Sequence, residues 1–119
     1  MAIILLAEDD ESLCRFLARS LTRAGHEVTS VVRGDHALPY LETGIYDLLL
    51  TDIVMPEMDG IELARRAVDM HPGLKVMFIT GFAAVALNPR SDAPKGAKVL
   101  SKPFHLRELV DEIDRALAA

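Results

Sequence analysis

The 119-residue sequence has one cysteine, no tryptophan, and an aromatic content of only 5%. With Cys14 alone, no internal disulfide can form, and a reducing, cytoplasmic setting is the expectation. No run of about 18 apolar residues occurs, so membrane insertion is not expected. Met1-Ala2-Ile3-Ile4 lacks the basic start of a secretory signal. Basic residues are outnumbered, 13 against 18 acidic, giving a net charge of −5 with no Lys/Arg-rich block. That balance argues against direct nucleic-acid binding. Low-complexity linkers and solenoid-period repeats are also missing. What is present is ordinary for a globular chain: half the residues are hydrophobic and about a quarter charged. The length suits one domain, residues 1–119, with no output domain expected.

Short apolar runs alternate with helical patterns. Ile3 to Ala7 is continuously apolar, as in a strand covered on both faces. Asp10 or Ser12 can cap the following helix, whose apolar positions are Leu13, Phe16, Leu17, Leu21 and Ala24 and which Gly25 ends. Val28 to Val32 reads as a second strand. Asp35 can cap a short helix running through Leu41, with a bend at Pro39. Asp47 to Asp52 is a third strand, and Ile61, Leu63, Ala64, Ala67 and Val68 mark a helix that stops near His71-Pro72. Leu74 to Thr80 is a fourth strand. Pro89 and Pro94 leave room for only a short helix near 82–87, followed by an irregular segment. A weak fifth strand spans Ala97 to Leu100, and Leu106, Leu109, Val110, Ile113 and Leu117 define an amphipathic last helix. On that helix Asp111 and Arg115 are spaced to pair. The alternation predicts an α/β fold: a five-stranded parallel sheet with helices on both faces, doubly wound, its fourth helix short or irregular.

In such sheets ligands sit at the carboxyl ends of the strands. There lie Glu8-Asp9-Asp10 after strand one, Asp52 after strand three, Thr80 after strand four, and Ser101-Lys102-Pro103 after strand five. Glu8, Asp9 and Asp52 brought together would repel one another, and a hard cation such as Mg²⁺ would relieve this. Lys102 adds a positive charge and Thr80 a hydroxyl, which together suit a phosphoryl group. A carboxylate facing that group can attack it, and Asp52 is the candidate because Glu8 and Asp9 are placed to hold metal. Asp59-Gly60 is expected mainly as a turn that shapes this edge. The four histidines show no ligand spacing, and none is assigned to a metal.

AEDD, LLLTDIVMPEMDG, ITG and SKPF, in that order, resemble the CheY-like receiver domain of two-component response regulators over essentially the whole chain. The resemblance implies that Asp52 accepts phosphoryl from a histidine kinase or histidine phosphotransferase. It implies that Mg²⁺ is held by Asp9 directly, Glu8 through water, Asp52, and the backbone carbonyl of Val54. It also implies that Lys102 contacts the phosphoryl group, that the bond to Pro103 is cis, and that Thr80 shifts toward the incoming group. That shift would bias a two-state surface formed by the fourth helix, fifth strand and last helix. The protein would then be no turnover enzyme, only self-catalysing its phosphorylation and slow loss.

Three features depart from the pattern. Val99 stands where many receivers carry an aromatic switch residue. The two prolines alter the output region. Val54 and Phe82, two residues after Asp52 and Thr80, flank the path of the hydrolytic water and cannot orient it, so a long-lived phosphoryl group is expected. GFAAVALNPRSDAPK, VLSKPF and the ending Leu-Ala-Ala resemble the CpdR family of single-domain cell-cycle regulators. That resemblance implies an adaptor that, unphosphorylated, primes substrates for the ClpXP protease, with Ala118-Ala119 as a possible degradation signal. The alternative is a phosphate sink or relay with no protease role. A haloacid-dehalogenase-type phosphatase would need a second Asp at position 54, and a nucleotide or flavin module would need a Gly- or Ser/Thr-rich loop where AEDDES stands.

Overall fold

Ile3–Ala7 and Leu48–Leu50 are apolar at every position because both sides of these central strands are covered. A computed structural model of the chain describes residues 1–81 and 93–118. Five strands, β1 (Ile3–Ala7), β2 (Glu27–Val31), β3 (Leu48–Asp52), β4 (Lys75–Thr80) and β5 (Lys98–Ser101), form one parallel sheet in the order β2-β1-β3-β4-β5. The described helices are α1 (Glu11–Arg23), α2 (Leu38–Thr43), α3 (Gly60–Met70) and α4 (Leu106–Ala118).

Alternate residues of each strand feed two cores. Leu5, Ala7, Leu49, Val76 and Phe78 face α2 and α3, where they meet Leu41, Leu63, Ala64 and Ala67. Ile4, Leu6, Leu48, Leu50, Met77 and Ile79 face α1 and α4, against Leu17, Leu21, Leu109 and Ile113. Cys14 is buried in this second core. The register pairs Ile4 with Leu48 and Leu48 with Lys75, so neighbouring strands finish level with one another. The switch in strand order falls between β1 and β3, and in an open sheet of this kind the crevice for a ligand lies above the carboxyl ends of those two strands.

The parallel doubly wound sheet is the one the alternation predicts. Details differ from the sequence expectation. Asp10 is the N-cap of α1, accepting from the Leu13 N–H at 3.1 Å, and Ser12 lies inside the helix. Asp35 caps nothing: its carboxylate takes a two-pronged bond from the Arg33 guanidinium at 2.9 and 3.0 Å, and a 3₁₀ turn over Asp35–Ala37 leads into α2. Pro39 does not bend a helix interior; it occupies the first turn of α2, where its missing N–H costs nothing. β2 and β5 are each offset by one residue from their expected spans, β3 and β4 begin one residue later than expected, and Arg115 pairs with Glu112 rather than Asp111. The short helix expected near 82–87 and residues 88–92 of the irregular segment lie outside the described residues.

Asp59-Gly60, expected as a turn, opens α3. The Asp59 carboxylate caps it by accepting from the Glu62 N–H at 2.8 Å. Gly60 sits against the end of β3: its N–H donates to the Ile53 carbonyl at 2.8 Å, and a Cβ there would fall 1.8 Å from the Asp52 carbonyl oxygen. Only glycine permits that approach. The loop between them is pinned by buried Met55 and Met58, and Glu57 turns through the left-handed region at φ 70°.

Candidate functional site: a carboxylate cluster at the strand ends

β1 and β3 are adjacent, so the residues that follow them share one crevice. Glu8 is fully buried and Asp52 is 7% exposed, while Asp9 faces solvent. One carboxylate oxygen from each lies within 4.8 Å of the others. Among the described residues this is the single cluster of acidic, histidine or cysteine side chains that could hold a metal ion.

Each carboxylate is differently held. Glu8 is held through both oxygens: Oε1 accepts from Lys102 Nζ at 2.9 Å and Oε2 from the Asp10 N–H at 3.1 Å. Asp52 accepts from its neighbour's backbone, Ile53 N–H to Oδ1 at 2.7 Å, and from Lys102 Nζ to Oδ2 at 3.0 Å. Asp9 has no hydrogen-bond or ion-pair partner among the described residues. Its carboxylate is therefore available to an external cation. Val54 follows at the rim, 55% exposed.

Lys102 reaches the crevice from β5. Its N–H donates to the Thr80 carbonyl at 2.8 Å, continuing the β4–β5 ladder past Thr80↔Ser101. The Lys102–Pro103 peptide is cis. Thr80 is fully buried at the end of β4. Val99 is partly buried and packs on the α2/α3 core. Ala118 is the exposed last described residue of α4; Phe82 and Ala119 lie outside the described residues.

One ammonium bonds two carboxylates, and a third, that of Asp9, lies beside them. Burial pushes Glu8 up to about 7, and the Asp52 charge adds to this, while the Lys102 bond and the Asp10 amide oppose it. Burial pulls the Lys102 ammonium down, but its bonds to Glu8 and Asp52 outweigh this and its pKa is raised. The excess negative charge, the hard oxygen donors and the unpartnered Asp9 fit a small divalent cation such as Mg²⁺.

Sequence reasoning missed three holding groups: the backbone N–H of Asp10, the backbone N–H of Ile53, and Gly60. The first two leave no residue signature. The third had one, since a glycine eight residues beyond a strand-end carboxylate can mark a close approach of backbone to backbone.

A family model for the response regulator receiver domain matches residues 4–114. The chain is 64% identical, over 100% of its length and 99% of the relative's, to the response regulator receiver protein CpdR of Brucella abortus. It is 37% identical to part of the sensor kinase CckA of the same organism, covering 98% of this chain and 12% of that one. The response regulator protein TrrA of Thermotoga maritima, solved in complex with Mg(2+)-BeF, superposes with a TM-score of 0.85 at 26% identity, covering 98% of this chain and 99% of that one.

Proposed function

The chain belongs to the response regulator receiver domain family of two-component signalling, and on that premise we propose that Asp52 is its phosphoryl acceptor. The observation that carries this is the convergence of Asp52, Glu8, Asp9 and Lys102 at the ends of three strands, with Lys102 Nζ 3.0 Å from Asp52 Oδ2. An Asp52 carboxylate oxygen attacks the phosphorus of a phosphohistidine on a kinase or phosphotransferase. A P–O bond forms as the P–N bond breaks, and the imidazole leaves with the electron pair. Lys102 exchanges its bond to Asp52 for one to a phosphoryl oxygen, which keeps the transferred charge neutralised. The Ile53 N–H holds Asp52 in place throughout. Asp9, Asp52 and the Val54 carbonyl would hold Mg²⁺, with Glu8 behind them. Once bound, Mg²⁺ supplies Lewis-acid neutralisation of the phosphoryl oxygens. Thr80, at the end of β4, is the group that bonds the new phosphoryl oxygen and shifts the output surface. This chemistry is stoichiometric self-phosphorylation and slow loss, without turnover of a substrate.

We infer further that the switched partner is a protease system. The 64% identity to CpdR along the full chain supports an adaptor in cell-cycle control. In this reading the unphosphorylated protein engages ClpX and promotes ClpXP proteolysis, and phosphorylation ends the engagement.

The test is intact mass after incubation with Mg²⁺ and acetyl phosphate. A gain of one phosphoryl group in the wild type and none in Asp52→Asn is the expected result. No gain, together with no binding of beryllofluoride, would refute it. Capture of ClpX by the unphosphorylated protein and its loss on phosphorylation tests the adaptor role. Capture of kinase and phosphotransferase only, in both states, would favour a relay or phosphate sink.

A further inference from the structure

The chain has four lysines. Lys102 belongs to the carboxylate cluster. The other three, Lys75, Lys95 and Lys98, line a single groove of about 310 Å³. Its floor includes Val68, Leu74 and Ala97, which continue the α2/α3 core outward. No carboxylate lines it among the described residues. On a chain of net charge −5, the exposed ammonium groups of Lys95 and Lys98 beside an apolar floor form a local positive site.

The lysines are fixed in place by backbone geometry. Pro94 to Ala97 is a turn closed by the Ala97 N–H donating to the Pro94 carbonyl at 3.3 Å, with Gly96 at φ 82°. A turn with positive φ at its third residue needs glycine there. It carries Lys95 at its second position and delivers Lys98 to the first residue of β5; both are exposed. Lys75 is the first residue of β4. The backbone that carries all three is therefore ordered before any partner arrives, which lowers the cost of binding.

The groove lies at the amino ends of β4 and β5, and the Asp52 crevice at their carboxyl ends. One strand length, roughly 17–20 Å, separates them. A ligand in the groove does not compete with a phosphoryl group.

We propose that this groove docks an acidic segment of a partner protein, an apolar side chain seated on the floor with carboxylates on either side. Charge complementarity selects this occupant: the lysine rim rejects basic segments, and the apolar floor favours a peptide over a bare anion.

The probe is a series of fluorescein-labelled decapeptides with glutamates flanking a leucine or phenylalanine, matched to versions with glutamine for glutamate. Anisotropy measures affinity, and amide chemical shifts of ¹⁵N-labelled protein locate the site. Expected are saturable binding that weakens with salt, shifts at residues 68, 72–76 and 94–98, and at least about tenfold weaker binding by Lys95→Glu/Lys98→Glu. That variant should keep its amide spectrum and its phosphoryl acceptance at Asp52, since neither lysine belongs to the crevice. No saturable binding by any peptide, equal binding by the glutamine versions, shifts confined to other faces, or unchanged affinity in the double variant would overturn the proposal. So would self-association through the same residues, or binding of phosphatidylglycerol vesicles in place of peptide.

Discussion

Gly60→Ala is the perturbation that tests most directly how the fold presents Asp52. The new Cβ would meet the Asp52 carbonyl oxygen at 1.8 Å, and the Asp52 carbonyl carbon at 2.8 Å. Contacts below 3.0 Å do not persist, so α3 and the end of β3 must separate by about 1.2 Å. The atoms in the way are backbone, which cannot rotate aside as a side chain would. Separation breaks the Gly60 N–H bond to Ile53 and opens the close packing of α3 on β3. Overpacking of this kind costs about 1–3 kcal/mol, and the buried bond adds about 1 kcal/mol. A loss of about 3 kcal/mol with an m-value of about 1.5 kcal/mol/M lowers the urea midpoint by about 2 M. Gly73→Ala is the control: nothing lies within 4 Å of its added Cβ and its φ is not positive. It should be neutral, or stabilising by up to about 1 kcal/mol through the unfolded chain. Urea denaturation followed by circular dichroism reads both. Phosphoryl acceptance under native conditions should fall in Gly60→Ala because the displaced segment carries Asp52. A Gly60→Ala midpoint within error of wild type would refute the reasoning.

Other consequences follow from the same geometry. Glu8, raised to about 7 in the folded protein from an ordinary 4.5, binds its proton more tightly folded than unfolded. Its contribution to stability is therefore greatest below about pH 4.5 and is lost as pH rises to about 7, and Glu8→Gln should flatten that part of a stability–pH curve measured by denaturant titration. Asp9→Asn should leave stability without metal within about 0.5 kcal/mol of wild type, yet remove most of the rise in Tm that millimolar Mg²⁺ gives the wild type; an unchanged Mg²⁺ response would remove Asp9 from the metal site. Asp59→Ala should cost about 1 kcal/mol by leaving the Glu62 N–H without its cap, measurable as a Tm decrease of a few degrees.

The succession of apolar runs and helical patterns was enough to determine the parallel sheet. A strand apolar at every position, such as Ile3–Ala7 or Leu48–Leu50, must be covered on both faces, and short helical crossovers are the way a chain of this length covers it. The same order put Glu8, Asp52, Thr80 and Lys102 at one edge, because parallel strands all finish on the same side. Local competition was not legible. Asp35 could cap a helix or take the Arg33 guanidinium, and the choice depended on where Arg33 came to lie. Arg115 could reach Asp111 or Glu112 with equal ease. The groups that hold the carboxylates, the N–H of Asp10 and of Ile53, are backbone and have no letter in the sequence. Asp59-Gly60 looked like an ordinary turn because only the packed structure shows α3 starting against the Asp52 carbonyl, at a distance that excludes any side chain. Lys75 lies twenty residues before Lys95 in the chain, and it came to share a groove with Lys95 and Lys98 only when β4 and β5 were laid side by side. Periodicity along the chain sets which elements form and which way they run; distances between their backbones, and therefore who touches whom, exist only once they are packed.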